Sequence, residues 1–81
     1  MNTLAIEVHP AAETVHFSES ELMVTLADGR TISVPIAWFS SLSNATEQEL
    51  HNYELLGNGE GIHWPQLDED LSVKGLLLGF H

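Results

Sequence analysis

The chain has 81 residues, no cysteine, and twelve acids against two bases, for a formal net charge of −10. That length makes one domain in which folding buries only about 60–65% of the extended chain's surface, so the core is thin, while 43% apolar content belongs to a folded globule rather than a disordered tail. Disulfides and thiolate metal sites are excluded, and DNA, RNA and anionic membranes lack the cations they would need to bind; a reducing cytoplasm and a basic partner, or solubility alone, fit better.

No apolar run approaches the ~20 residues that span a bilayer. The opening "MNTLAIEVHP" has neither the basic start nor the long apolar stretch of a signal peptide. The sequon Asn44-Ala45-Thr46 is therefore not expected to carry glycan. With so thin a core, a partner or a homodimer could contribute to stability.

In chain order, residues 4–8 and 14–17 read as short strands separated by the turn-prone "HPAAE". Residues 21–27 alternate, with Leu22, Val24 and Leu26 on one face, and "RTISV" at 30–34 places Ile32 and Val34 on one face. Asp28-Gly29 between them signals a hairpin. A two-residue loop would set Leu26 opposite Thr31 and Val24 opposite Ser33, mixing apolar and polar groups. A three-residue loop over 27–29 pairs Leu22 with Val34 and Val24 with Ile32 and gathers one apolar face. Register follows the buried face, which predicts the three-residue loop with Gly29 left-handed. Pro35 ends the strand.

Ile36, Phe39 and Leu42 stand at helical spacing and predict one or two helical turns. Thr46 with Glu49 forms a capping box, predicting a short helix that stops before Gly57. "GNGEG" at 57–61 is a turn and residues 62–64 a strand, Ile62 and Trp64 facing the core and His63 turned away. Pro65 ends that strand. Residues 72–79 read as a last helix capped by Ser72 or Asp70, weakened by Gly75. The fold class expected is α+β: one domain over 1–81, a small antiparallel sheet with two or three short helices packed on one face.

"GIHWPQLDEDL" at 61–71 invites a chemical reading. Its bland reading is strand end, turn and helix entry, with Asp68, Glu69 and Asp70 favoured by a helix N-terminus. The metal reading finds Val73 and Gly79 where a calcium loop wants Gly and Glu, and the five histidines have no zinc-motif spacing. A zinc site would have to be assembled across the fold, for example from His51, His63 and Asp68. Gly57, Gly59 and Gly61 miss the dinucleotide fingerprint, because Ile62 stands where its third glycine belongs. Paired carboxylates for glycoside chemistry would need a deep cleft, and no serine-hydrolase elbow is present. No catalytic residue, cofactor or metal is expected. Trp38-Phe39 either caps the core or leaves one ring exposed as an interface anchor.

"LADGRTISVPIAWF" at 26–39 and "GEGIHWPQLDEDLSVKGLL" at 59–77 resemble the small bacterial family called domain of unknown function 2442. The second stretch is the more specific, matching from Gly61-Ile62-His63-Trp64-Pro65 through Leu67-Asp68-Glu69-Asp70-Leu71 to Leu76-Leu77. The resemblance implies an α+β domain with an antiparallel sheet and no known enzymatic activity. It also implies genomic pairing with a second small protein in a toxin–antitoxin-like arrangement. Some relatives carry a fused helix-turn-helix, for which this chain offers no room. The reading is thus a non-catalytic protein-binding domain, antitoxin-like, with a small basic protein as partner. Its candidate partner-binding residues are Trp38, Phe39, Glu47, His63, Asp68, Glu69 and Asp70. The alternative is a small-ligand or sensor domain with a pocket near His63 and Trp64.

Overall fold

A computed structural model describes residues 10–79. The strand expected over 4–8 lies outside the described residues. The fold is α+β and antiparallel, but the strands divide into two three-stranded sheets.

The first sheet is a meander of β1 (Ala12–Phe17), β2 (Glu21–Leu26) and β3 (Thr31–Pro35). Leu22 pairs with Val34 and Val24 with Ile32, and Leu26 N–H donates to Arg30 O at 2.7 Å, which closes the three-residue loop. Gly29 has φ +96°, as that loop requires. Asp28 accepts from Arg30 N–H at 3.0 Å and from its guanidinium Nε at 2.8 Å. Those bonds, the backbone one foremost, hold the Asp28 carboxyl below its ordinary range. Pro35 sits opposite Glu21 in a pair outside the hydrogen-bonded positions, so its missing N–H faces the open side of an edge strand. Leu22, Val24, Leu26 and Val34 are buried together with Val15 of β1. Threonines 14, 25 and 31 form a row across the other face.

No atom lies within 4 Å of a side chain built at Gly29. Gly29→Val should therefore cost only the backbone strain, about 1–2 kcal/mol. An unchanged urea midpoint would contradict the left-handed assignment.

A 3₁₀ turn (Ile36–Trp38) and α1 (Ser40–Ser43) fulfil the expected helical turns, burying Phe39 and Leu42. α2 (Glu47–His51) begins with the expected capping box, the Thr46 hydroxyl accepting from Glu49 N–H and the Glu49 carboxylate from Thr46 N–H. It is shorter than anticipated. After Asn52 the chain turns into β4 (Glu54–Leu56), which pairs Leu55 with Ile62 of β5 (Gly61–Trp64). Three residues are too few to show alternation, and that is why the sequence concealed this strand.

The sharper correction concerns the acids. Glu69 and Asp70 do not lie at a helix entry; they open β6 (Glu69–Ser72), the third strand of the second sheet. Pairing with β5 bonds the backbone of Glu69 and Leu71 and lets Leu71 face Ile62, a larger gain than the ~0.3–1 kcal/mol of a helix dipole. Helix α3 (Val73–Leu78) then starts at once, its cap the Ser72 hydroxyl accepting from Gly75 N–H, and ends at left-handed Gly79.

The sheets are joined across their ends. Ala12 N–H donates to Gly59 O at 2.7 Å, and Val15 N–H to the Tyr53 hydroxyl at 3.1 Å. Trp64 lies between them, edge-on to Phe17 and tilted against Tyr53.

Candidate functional site

The β5–β6 hairpin answers the question raised by "HWPQLDED". Trp64 pairs with Glu69 across the loop Pro65-Gln66-Leu67-Asp68. Leu67 N–H donates to Trp64 O at 3.1 Å, forming a turn with proline in its second position, where a fixed φ is preferred. Asp68 closes the loop at φ +51°; it is the only described non-glycine residue with positive φ. Aspartate tolerates that conformation better than most residues. Asp68→Gly should be at least as stable as the wild type and Asp68→Ala less so by about 1 kcal/mol, measured by urea denaturation. If alanine proved the more stable of the two, the aspartate would have no conformational role.

Beyond the loop, the outer face of the second sheet carries charge. Glu54 of β4 and Asp70 of β6 both stand directly opposite His63 of β5. The His63 ring is partly buried, and its Nδ1 lies 2.5 Å from Asp70 Oδ1. Register explains the closeness. Val73 N–H donates to Glu60 O, so 60/73, 62/71 and 64/69 are the hydrogen-bonded pairs and 63/70 falls between them. Side chains of such pairs approach more closely. Glu54 is the member that sequence reasoning missed, because β4 was not foreseen. The Gly57-Asn58-Gly59 turn ahead of "IHW" was the signal that a strand should precede it.

The other candidates are scattered. Glu69 accepts a hydrogen bond from the Ser41 hydroxyl, tying β6 to α1. Glu47 is exposed at the start of α2. Trp38 is 42% exposed, whereas Phe39 is 6% exposed and belongs to the core, which removes it from the contact residues. Trp64 is fully buried and its indole N–H donates to Leu50 O at 3.0 Å. Trp64 is thus enclosed in the core between the two sheets. A shallow depression nearby is lined by Leu56, Gly61, Asp70 and Ser72 on the outer face.

Among the described residues no three His, Asp or Glu side chains are gathered as a metal site would require. His51, His63 and Asp68 lie on a helix, a strand and a loop. Nor is any described hydroxyl bonded to the His63 ring; the Ser72 hydroxyl caps α3 and that of Ser41 holds Glu69. The arrangement is an acidic, largely open sheet face suited to electrostatic recognition. No helix among the described residues is long and apolar enough to cross a membrane.

Known proteins agree with this fold. A crystal structure of a protein of unknown function from Rhodospirillum rubrum is 34% identical, with 88% of each chain covered and a TM-score of 0.75. The solution structure of an uncharacterised Chromobacterium violaceum protein is 27% identical, with a TM-score of 0.71; it covers 85% of this chain and 65% of that one. No curated protein matches the chain. The family profile described as protein of unknown function (DUF2442) matches residues 12–81, and with β5, β6 and α3 formed by the very motif that carried the resemblance, this chain belongs to that family.

Proposed function

We propose that the chain is a non-catalytic domain that binds a small basic protein, as the antidote half of a bacterial two-component module would. The observation that carries this reading is charge: twelve acids against two bases. One of those bases, Arg30, is already tied to Asp28 at 2.8 Å. Glu54, Glu60 and Asp70 are exposed on or beside the outer face of the second sheet, and Asp68 on its loop. Such a field steers cationic partners and repels nucleic acid. Trp38, exposed beside buried Phe39, supplies an apolar anchor. A cytoplasmic location belongs to the same reading.

The test is affinity purification of the tagged chain from its native host at low salt. A basic protein should be retained and then released as salt rises. With that protein in hand, association should slow steeply as the Debye length falls below its ~10 Å value at 0.1 M salt. Glu54→Lys and Glu60→Lys should slow association, while Trp38→Ala should mainly speed dissociation. Recovery of nothing above background, or tight DNA binding by the isolated chain, would sink the proposal.

A further inference from the structure

Among the described residues β6 is an edge strand, paired with β5 alone. Hydrogen-bonded positions alternate along an antiparallel ladder. With Val73 bonded to Glu60, Leu71 turns its backbone groups toward β5, and Asp70 and Ser72 turn theirs outward. Beside that edge runs a groove of about 340 Å³, lined by all four residues of β6 together with Phe39, Gly75 and Leu76. Residues from both faces of the strand line it, so the groove follows the edge rather than crossing one face. Its wall is apolar at Phe39 and Leu76 and bare at Gly75, a residue that weakens the interior of α3.

We infer that this edge accepts an extended segment of a basic partner protein as an added strand. The inference rests on the protein-binding reading and gives it a surface. Charge selects the occupant. Glu69 and Asp70 stand on the strand itself, Glu60 on the preceding turn and Glu54 across the sheet, while Lys74 is the only base on β6 or α3. A second copy is a poor occupant. Pairing two β6 edges would bring Glu69 and Asp70 of each chain against those of the other, between molecules that each carry a charge of −10. An incoming strand with a cation at every second position would set those cations beside Asp70. Its intervening apolar residues would lie along the groove beside Leu71.

The test is an NMR titration of the isotopically labelled full chain at low salt with acetyl-Lys-Val-Lys-Val-Lys-Val-amide. Controls are the same peptide with alternate amides methylated and a lysine homopolymer of equal length. The alternating peptide should bind saturably, shift the Asp70 and Ser72 amides, and slow their hydrogen exchange at least about tenfold. Methylation, which removes the edge donors, should weaken binding by at least about tenfold. The homopolymer should shift many acidic residues without protecting Asp70 or Ser72. Asp70→Pro removes a backbone donor on the free edge, leaving the β5 ladder intact, together with the carboxylate beside His63, and should abolish protection at Ser72. Asp70→Ala lacks the carboxylate alone and should retain that protection. Gly75→Gln, which adds a side chain at a residue lining the groove, should weaken binding even if the proline variant folds poorly.

Undiminished binding of the methylated peptide, shifts centred on Thr31 and Ser33 of β3, or no saturable binding would each overturn the edge site. The two proposals fail separately. A native basic partner that binds Asp70→Pro and Gly75→Gln as well as wild type removes the edge and leaves the protein-binding reading. Absence of any native partner removes that reading even if the peptide docks.

Discussion

Gly59→Ala should destabilise the protein by roughly 3–5 kcal/mol, far more than any other glycine-to-alanine change in its turns. The reason is a coincidence of two demands at one residue. Gly59 has φ +89°, and a β-carbon placed on it would lie 2.4 Å from Ala12 O and 2.9 Å from Ala12 N. Those are backbone atoms of β1, so no side chain can swing aside. The same residue's carbonyl accepts the Ala12 N–H at 2.7 Å, and moving the turn away to relieve the clash would break that bond. Gly57, two residues earlier, supplies the control: its φ is +60°, with nothing within 4 Å of an added β-carbon. Gly57→Ala should lose only about 1 kcal/mol. For a domain of this size each kcal/mol moves the thermal midpoint by about 4–8 °C, so the two variants should separate by at least about 8 °C. Urea and thermal denaturation measure both, and equal losses would mean that the turn does not rest on β1.

That junction marks the boundary of what the sequence could disclose. The hairpin over 21–35 was legible because alternation and the Asp28-Gly29 turn pointed to one register, which the pairing of Val24 with Ile32 bears out. The capping box at Thr46 was legible because it is a local bond between residues three apart. Ile62 and Trp64 were placed inward by period two alone, and both are fully buried. What stayed hidden depends on contacts distant in sequence. β4 exists because Leu55 finds Ile62, and β6 because "EDLS" finds β5; neither has enough residues to declare its period. Three consecutive acids look like a helix entry until a neighbouring strand pairs with Glu69 and Asp70 and leaves Asp68 to close the loop. The Glu54–His63–Asp70 row follows from those two strands, so it was as hidden as they were. Nothing in "GNGEG" could reveal that its second glycine presses on the backbone of residue 12.

Trp64→Ala should lose about 3–5 kcal/mol, placing it with Gly59→Ala among the most damaging single changes. Trp64 heads the fully buried side chains by volume. Its ring fills the space between the sheets, with its centroid 6.3 Å from that of Phe17 on β1 and 6.4 Å from that of Tyr53 just before β4. The indole N–H also holds Leu50 O at the end of α2 at 3.0 Å. Truncation therefore opens a cavity, removes two aromatic contacts and leaves a carbonyl without its donor. A domain of 81 residues has roughly 4–12 kcal/mol in total, so the variant should be partly unfolded before denaturant is added if its reserve lies at the low end. Trp64→Phe keeps much of the ring volume and should lose about 2 kcal/mol, mostly the hydrogen bond and the unfilled space. Far-UV circular dichroism with urea titration orders the three proteins, and Trp64→Ala within about 1 kcal/mol of wild type would refute the bridging role. Binding should separate this tryptophan from the other. Trp64→Phe, once folded, should associate with a basic partner as wild type does, because its ring never reaches the outer face. Trp38→Ala, which removes a ring packed edge-on to Phe39, should cost much less stability than Trp64→Ala and yet shorten the life of the complex.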